Sequence, residues 1–301
     1  MHFSFLKYSK IYFLFSGILM IASILAIVAF GLNWGVDFAG GSILRATYSD
    51  QRPDAQELSG KMSDLGLNDF SIRFSGENEI IIRMPEVAQE MKDKVSGIFY
   101  NMENIEKGSI GFESVSPVVG DESKARATKA IIFSIFAIIF YVAFAFRKIS
   151  RPVKSWQYGI ATVVALVHDV LIPIGIFAVL GKFWGVEFSI PILTALLTIL
   201  GYSVNDTVVV FDRIRENLIR GAGETFGDVI DKSLNQTLGR SFNTVFTTLL
   251  ALFAIFFFGG QSLTYFSLAL IFGISFGAYS SIFLASTLIA QVYSFNQRKF
   301  R

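Results

Sequence analysis

Cysteine is absent from the 301 residues, and histidine occurs only at His2 and His168. Without cysteine there is no disulfide and no thiolate chemistry. Two histidines do not build a zinc site of the His/Cys kind, so no metal is expected. Charge is scarce as well. Asp, Glu, Lys and Arg make up 17% of the chain against 52% hydrophobic residues, and mean hydropathy is +0.54. That balance is too apolar for an ordinary soluble domain and fits a polytopic membrane protein. The 32 Phe residues agree, because a helix facing lipid needs no polar side.

The small net charge of +2 hides an asymmetry: residues 37–126 sum to −6 and the remainder to +8. The basic excess falls in short connections and tails, where it sets topology rather than forming a nucleic-acid patch. Residues 11–36 carry no charge and exceed the roughly 20 residues that a helix needs to cross. The run is too long for a cleaved signal peptide, and no A-x-A-like site is obvious. A second span is expected over 130–146, and a third between Lys154 and Lys182. A fourth runs from near Phe188 to Asp212-Arg213. The 57 residues after Arg240 lack Asp, Glu, Lys and Arg, enough for two more helices around a turn at Gly259-Gly260-Gln261-Ser262. Six spans put both termini on one side. Lys7 and Lys10, then Arg147, Lys148, Arg151 and Lys154, then Arg213, Arg215, Arg220, Lys232 and Arg240, and finally Arg298, Lys299 and Arg301 share a face. The positive-inside rule makes that face cytoplasmic.

Three domains follow: a tail and first span over 1–36, an outer domain over 37–126, and the other five spans over 127–301 with a cytoplasmic loop at 213–240. Within the outer domain, residues 42–116 read as a small soluble fold. Strands are expected at Ser42–Tyr48, Asp69–Phe74, Glu79–Met84 and Gly108–Val115, and helices at Pro53–Leu65 and Glu86–Asn104, with a hairpin turn over Ser75-Gly76-Glu77-Asn78. The order β-α-β-β-α-β is the ferredoxin-like pattern, which gives an architecture and no function. No catalytic cluster appears in it. Its acidic residues read as a solvated surface.

The polar residues inside the spans carry the functional argument. Asp206 is the only ionisable group from Leu196 to Phe211. A carboxylate at membrane depth costs about 2.5–3.5 kcal/mol on insertion scales, so it is rarely kept without a use. A carboxyl that is costly to keep charged is a group that takes up and releases protons. Tyr202, Asp206, Val209 and Arg213 recur at helical spacing on one face, which lets the Tyr202 hydroxyl reach Asp206. Asn205 adjoins them. Arg240 opens the fifth span, antiparallel to the fourth. Guanidinium does not deprotonate, so Arg240 is either the fixed charge that tunes Asp206 or a marker of the cytoplasmic boundary. His168-Asp169 lies near the middle of the third span. Neighbours on a helix point about 100° apart, so the two do not face the same partner. They read equally as a proton relay, since histidine exchanges protons near neutral pH, or as a buried polar pair. Between Asp212 and Arg240, the spacing of Phe226, Val229, Ile230, Leu234 and Leu238 predicts a helix lying along the cytoplasmic membrane surface. Asp37, Gly40 and Gly41 sit where the chain leaves the first span. There the glycines allow a tight exit and Asp37 reads as a cap.

Together these blocks resemble the SecF family of protein-export membrane proteins, within the SecD/SecF group of the resistance-nodulation-division (RND) superfamily. The resemblance rests on Gly35-Val36-Asp37-Phe38-Ala39-Gly40-Gly41, on Ser114-Val115-Ser116-Pro117-Val118-Val119-Gly120, and on His168-Asp169. It rests most on Gly201-Tyr202-Ser203-Val204-Asn205-Asp206-Thr207 running on to Asn217, and on Leu234-Asn235-Gln236-Thr237-Leu238-Gly239-Arg240-Ser241. It implies a membrane all-α six-helix bundle, an RND-type half, with a small α+β ferredoxin-like periplasmic domain in the bacterial inner membrane. It further implies a non-enzymatic, proton-driven accessory of Sec translocation with protons as the coupling ion and no other cofactor. The implied partners are SecD, the SecYEG translocon, accessory proteins such as YajC, and preproteins. By motif, Asp206 matches the family's essential membrane aspartate and Arg240 its functional arginine. Two rivals stand beside this reading: a scaffold that moves no protons, and half of an RND-type exporter of small molecules or lipids.

Overall fold

The hydropathy pattern resolves into long helices and one small sheet. The computed structural model describes residues 3–50, 52–75, 78–100, 102, 105–106, 108–147 and 153–299. It divides into one unit of Met1–Asn33 and Lys129–Arg301 and another of Trp34–Thr128.

In the second unit, α2 (Val36–Ala39) leads into β1 (Gly41–Thr47), α3 (Ala55–Asp64), β2 (Ser71–Ser75), β3 (Glu79–Met84), α4 (Gln89–Tyr100) and β4 (Gly111–Val115). The four strands pair antiparallel in the order β2-β3-β1-β4. Alternation explains the sheet: Ile80, Ile82 and Met84 of β3 are buried, while the residues between them are half-exposed. Leu44 and Ala46 of β1 join them, and Leu58, Met62, Val95 and Phe99 of α3 and α4 close the core. β3 matches the sequence reading and β4 shares its end at Val115, while the other strand and helix ends differ by one to four residues. Of the expected turn, Gly76 and Glu77 lie outside the described residues, as do Asn101, Glu103 and Asn104 at the end of the expected second helix. Tyr48, also buried here, donates its hydroxyl to Met102 Sδ at 3.1 Å. Burial pushes that phenol up to about 12.

Among the described residues, six helices are long and apolar enough to cross a membrane. They are α1 (Ser9–Phe30), α5 (Pro117–Ala145), α6 (Ser155–Trp184), α7 (Ile190–Ile219), α8 (Phe226–Phe258) and the pair α9 (Gln261–Tyr279) and α10 (Ser286–Lys299). A π-helical turn, Ser280–Ala285, joins α9 to α10 without a break. Half or nearly half of the apolar stretches of α6, α7 and α9–α10 is buried, against 6% for α5 and 11% for α8, so the first three form the centre. Close packing there rests on small residues. A Cβ on Gly273 of α9 would lie 2.0 Å from Ile199 Cδ1 of α7, and one on Gly175 of α6 would lie 2.5 Å from Ser23 Cβ of α1.

Three expectations about the spans are corrected. First, α5 begins at Pro117, well before the expected Ala130. Proline suits a first helical position, and the polar residues that follow are helix formers. Second, no separate surface helix occupies 213–240. The fourth span continues to Ile219, the chain turns over Arg220–Thr225, and α8 starts at Phe226. Gly221, at φ 62°, and the Thr225–Asp228 capping box set that turn. The amphipathic stretch is instead the first half of α8. Its Phe226, Val229, Ile230 and Leu234 are buried in the bundle core. The N-terminal segment docks on the same half. Ser4 Oγ and the Leu6 amide donate to Asp231, and Phe3 exchanges two hydrogen bonds with Asn235. Third, the last turn is narrower than expected, because α9 already starts at Gln261. Lys148, Arg151 and Arg301, used for orientation, lie outside the described residues.

Candidate functional site

Helix α7 carries polar groups on two faces. On the face turned to α8, Asp206 Oδ1 accepts a 2.6 Å hydrogen bond from Ser241 Oγ. Its Oδ2 is buried and has no protein partner among the described residues. The expected Tyr202 partner is corrected: the Tyr202 hydroxyl pairs with Thr248 Oγ1 at 3.3 Å, two turns beyond Ser241 along α8. The reason is geometric. Tyr is long enough to cross to the neighbouring helix, while the short Ser241 side chain stands directly opposite Asp206. Asn205 is exposed. Arg240 precedes Ser241 but lies well inside α8, not at its start. It acts on Asp206 through space yet makes no ion pair with it within 4 Å.

The second face meets the bundle centre. Asp169 is fully buried on α6. Its Oδ2 accepts from Ser203 Oγ of α7 at 2.5 Å and from Ser280 Oγ of the π-helical turn at 2.7 Å. Its Oδ1 lies 2.8 Å from His168 Nδ1. The two neighbours thus share one network, because the carboxyl bends back to the imidazole beside it while its other oxygen reaches across. His168 Nε2 is buried without a protein partner among the described residues, and the ring stacks on Tyr279. Thr207, one turn after Ser203, pairs with Ser281 Oγ at 2.8 Å. None of Ser203, Ser280, Ser281 or Ser241 was singled out from sequence as a partner. Their one visible signal was spacing: Ser203 and Thr207 are four apart, so they share a helix face.

Beyond Asp206, towards the α7–α8 turn, a cavity of about 460 Å³ is lined by Arg213, Arg215, Glu216, Gln236 and Arg240, with Val208 and Val209 on its apolar side. Arg213 donates to Glu216 and to Gln236, and Arg215 lies 3.6 Å from Asp212. Arg240 therefore stands at a polar opening one residue from the group that holds Asp206. In the other unit, Gly40 at φ 73° ends α2, and a Cβ there would lie 2.6 Å from Pro117 Cα. A Cβ on Gly120 would lie 2.6 Å from Phe38 O, and one on Gly41 2.9 Å from Met84 O. These glycines serve backbone contact. Asp37 lies in the first turn of α2.

The family description "Protein export membrane protein SecD/SecF, C-terminal" matches residues 94–294, and the SecD/SecF GG motif matches residues 25–51. Protein translocase subunit SecF of Thermobaculum terrenum is 39% identical over 294 residues, which is 92% of this chain and 90% of that protein. The subunit of the same name from Haemophilus influenzae is 35% identical, over 96% of this chain and 85% of that protein. The crystal structure of SecDF, a translocon-associated membrane protein from Thermus thermophilus, superposes with a TM-score of 0.84 at 30% identity. That likeness covers 98% of this chain but only 39% of the SecDF chain. A super-membrane-facing form of SecDF matches with a TM-score of 0.70.

Proposed function

The chain belongs to the SecF family of protein translocase subunits, and from that premise we propose that it acts with SecD in Sec protein translocation as a proton-driven, non-enzymatic subunit. Protons are its coupling ion, and it needs no other cofactor. It lies in the bacterial inner membrane with six spans and both termini in the cytoplasm. The unit around the β2-β3-β1-β4 sheet is its ferredoxin-like periplasmic domain. SecYEG, accessory proteins such as YajC, and emerging preproteins are its further partners.

One observation carries the proton reading. Asp206 is an intramembrane carboxyl with one hydroxyl donor, one unpartnered oxygen and a nearby arginine that does not touch it. An ion pair fixed for packing would engage the guanidinium with both oxygens. Here the second oxygen is held in reserve. In this reading Asp206 takes and releases the proton. Arg240 is the fixed charge whose approach favours the ionised form. Ser241 orients the carboxyl. The cavity beside Arg240 is the polar route from the cytoplasmic side. His168 and Asp169 extend the polar path into the bundle. The SecD half supplies the rest of the pathway.

The test is preprotein export in cells whose only copy carries Asp206→Asn, with membrane levels and SecD association measured alongside. Lost export with intact assembly supports the proton role. Normal export removes it and leaves a scaffold.

A further inference from the structure

The Asp169 cluster is built to hold, and its bonds are built to be exchanged. Three elements meet at one carboxyl: α6 supplies Asp169, α7 supplies Ser203, and the π-helical turn supplies Ser280. The contact between α7 and α9 is close, with Gly273 and Gly277 of α9 facing Ile199 and Ser203 of α7. A Cβ added to Gly277 would lie 3.3 Å from Ser203 Cβ and 3.6 Å from Asp169 Oδ2. Small residues of this kind let helices approach closely.

The hydroxyls have second acceptors in reach. Ser280 Oγ, with one proton to give, lies 2.7 Å from Asp169 Oδ2 and 3.1 Å from the carbonyl of Gly277. Ser281 Oγ lies 2.8 Å from Thr207 Oγ1 and 3.4 Å from the carbonyl of Ser203. The Ser280 hydroxyl, on leaving Asp169, can turn to the Gly277 carbonyl one turn back, so its release strands no buried donor. Asp169 keeps His168 when it lets go, because the two are neighbours on α6. The π-helical turn has an irregular ladder, and Ser286 Oγ donates to the carbonyl of Ser281 within it. Such wide turns are frequent at functional sites. Asp206 is adjacent to Thr207 and three residues from Ser203, so a shift of α7 at one face is felt at the other.

We infer that Asp169 is a second working carboxylate: a positioning residue that latches α6 to α7 and to the π-helical turn through Ser203 and Ser280, and that α7 slips this latch in each transport cycle. The inference rests on the proton reading of Asp206 for what drives the slip, and on the Asp169 geometry alone for the latch.

The chain has no cysteine, so two spin labels can be placed cleanly at the exposed positions Trp156 of α6 and Thr194 of α7. The distance distribution is measured by pulsed electron resonance in vesicles that hold the complex with SecD. Asp206→Asn mimics the protonated carboxyl. It is expected to displace the distribution in the native background, and to add little in a Ser203→Ala/Ser280→Ala background where the latch is already open. Coupled sites of this kind change function by roughly 5–150-fold, so export by the double serine variant should fall about tenfold with assembly retained. A merely structural role would leave the two changes additive. Additive displacements, no displacement by an Asp206→Asn variant that has lost export, or native export with an unchanged distribution in the serine variant each overturn the latch. If Asp206→Asn exports normally while the serine variant still shifts distances and export, the proton reading fails and the latch stands.

Discussion

Asp206 projects from α7 towards α8, Asp169 of α6 meets α7 at Ser203, and the oxygens of the two carboxyls are used differently. Asp169 has no exposed surface, and both its oxygens are engaged, by His168, Ser203 and Ser280. Asp206 is only partly buried, and one oxygen is served by Ser241 while the other is not. A saturated carboxyl fixes helices against one another. An unsaturated one, with Arg240 near but apart, can change partner at little cost. The difference assigns a latch between helices to the centre of the bundle and, on the proton reading, proton exchange to its α8 side.

The comparison breaks most sharply at export. Asp206→Asn should lower it on the order of 100-fold, the usual scale for losing a proton-transferring group, while the detergent-solubilised complex melts as before. A matching fall in melting temperature would show that Asp206 also holds the bundle. Asp169→Asn should do the reverse first. It leaves buried hydroxyls poorly served, so unfolding of the complex is expected to become easier by about 1–3 kcal/mol, read from its thermal midpoint. Unchanged stability would erase the contrast between the two sites. A bulky test of the same centre is Gly273→Leu, where overpacking against Ile199 should cost about 1–3 kcal/mol and reduce the yield of complex co-purified with SecD. Ser241→Ala is subtler. It removes the one donor of Asp206 and should cut export less than Asp206→Asn does, with Ser241→Thr retaining activity. Equal defects in the alanine and threonine variants would point to packing rather than the hydroxyl.

The smallest effect lies in the unit around the β2-β3-β1-β4 sheet and serves as a control. Folding raises the Tyr48 phenol to about 12 through burial, so the contribution of its neutral form is complete below pH 10. It is lost as pH climbs from there through the folded value. Hydrogen exchange of β1 to β4 should therefore quicken between about pH 10 and 12, and less so in Tyr48→Phe. Neither carboxyl site should respond to that substitution.

Much of this was legible from residue pattern. β3 buries every second residue, Ile80, Ile82 and Met84, and was bounded correctly as Glu79–Met84. The charge-free runs marked the spans because length and apolarity alone define them. Asp206 stood out because an acid in such a run is rare. The serines did not, since a hydroxyl can bond its own helix and so gives no sign of a distant partner. The first half of α8 was misplaced for a similar reason. An apolar stripe at helical spacing looks the same whether it rests on lipid or, as Phe226 and Leu234 do, on a protein core. The capping residues Thr225 and Asp228 were the discriminating signal, because they start a helix at Phe226 rather than at Arg240.

Gly40 and Gly120 touch backbone atoms where any side chain would stand. A mutational survey of this chain will therefore score both positions as intolerant, as strongly as it scores Asp206. The resemblance is one of outcome only. At the two glycines the substituted protein fails before it reaches the membrane machinery, and abundance falls together with export. At the aspartate abundance is kept. Sorting positions by the ratio of export to abundance, rather than by export, is what separates residues that shape this protein from residues that operate it.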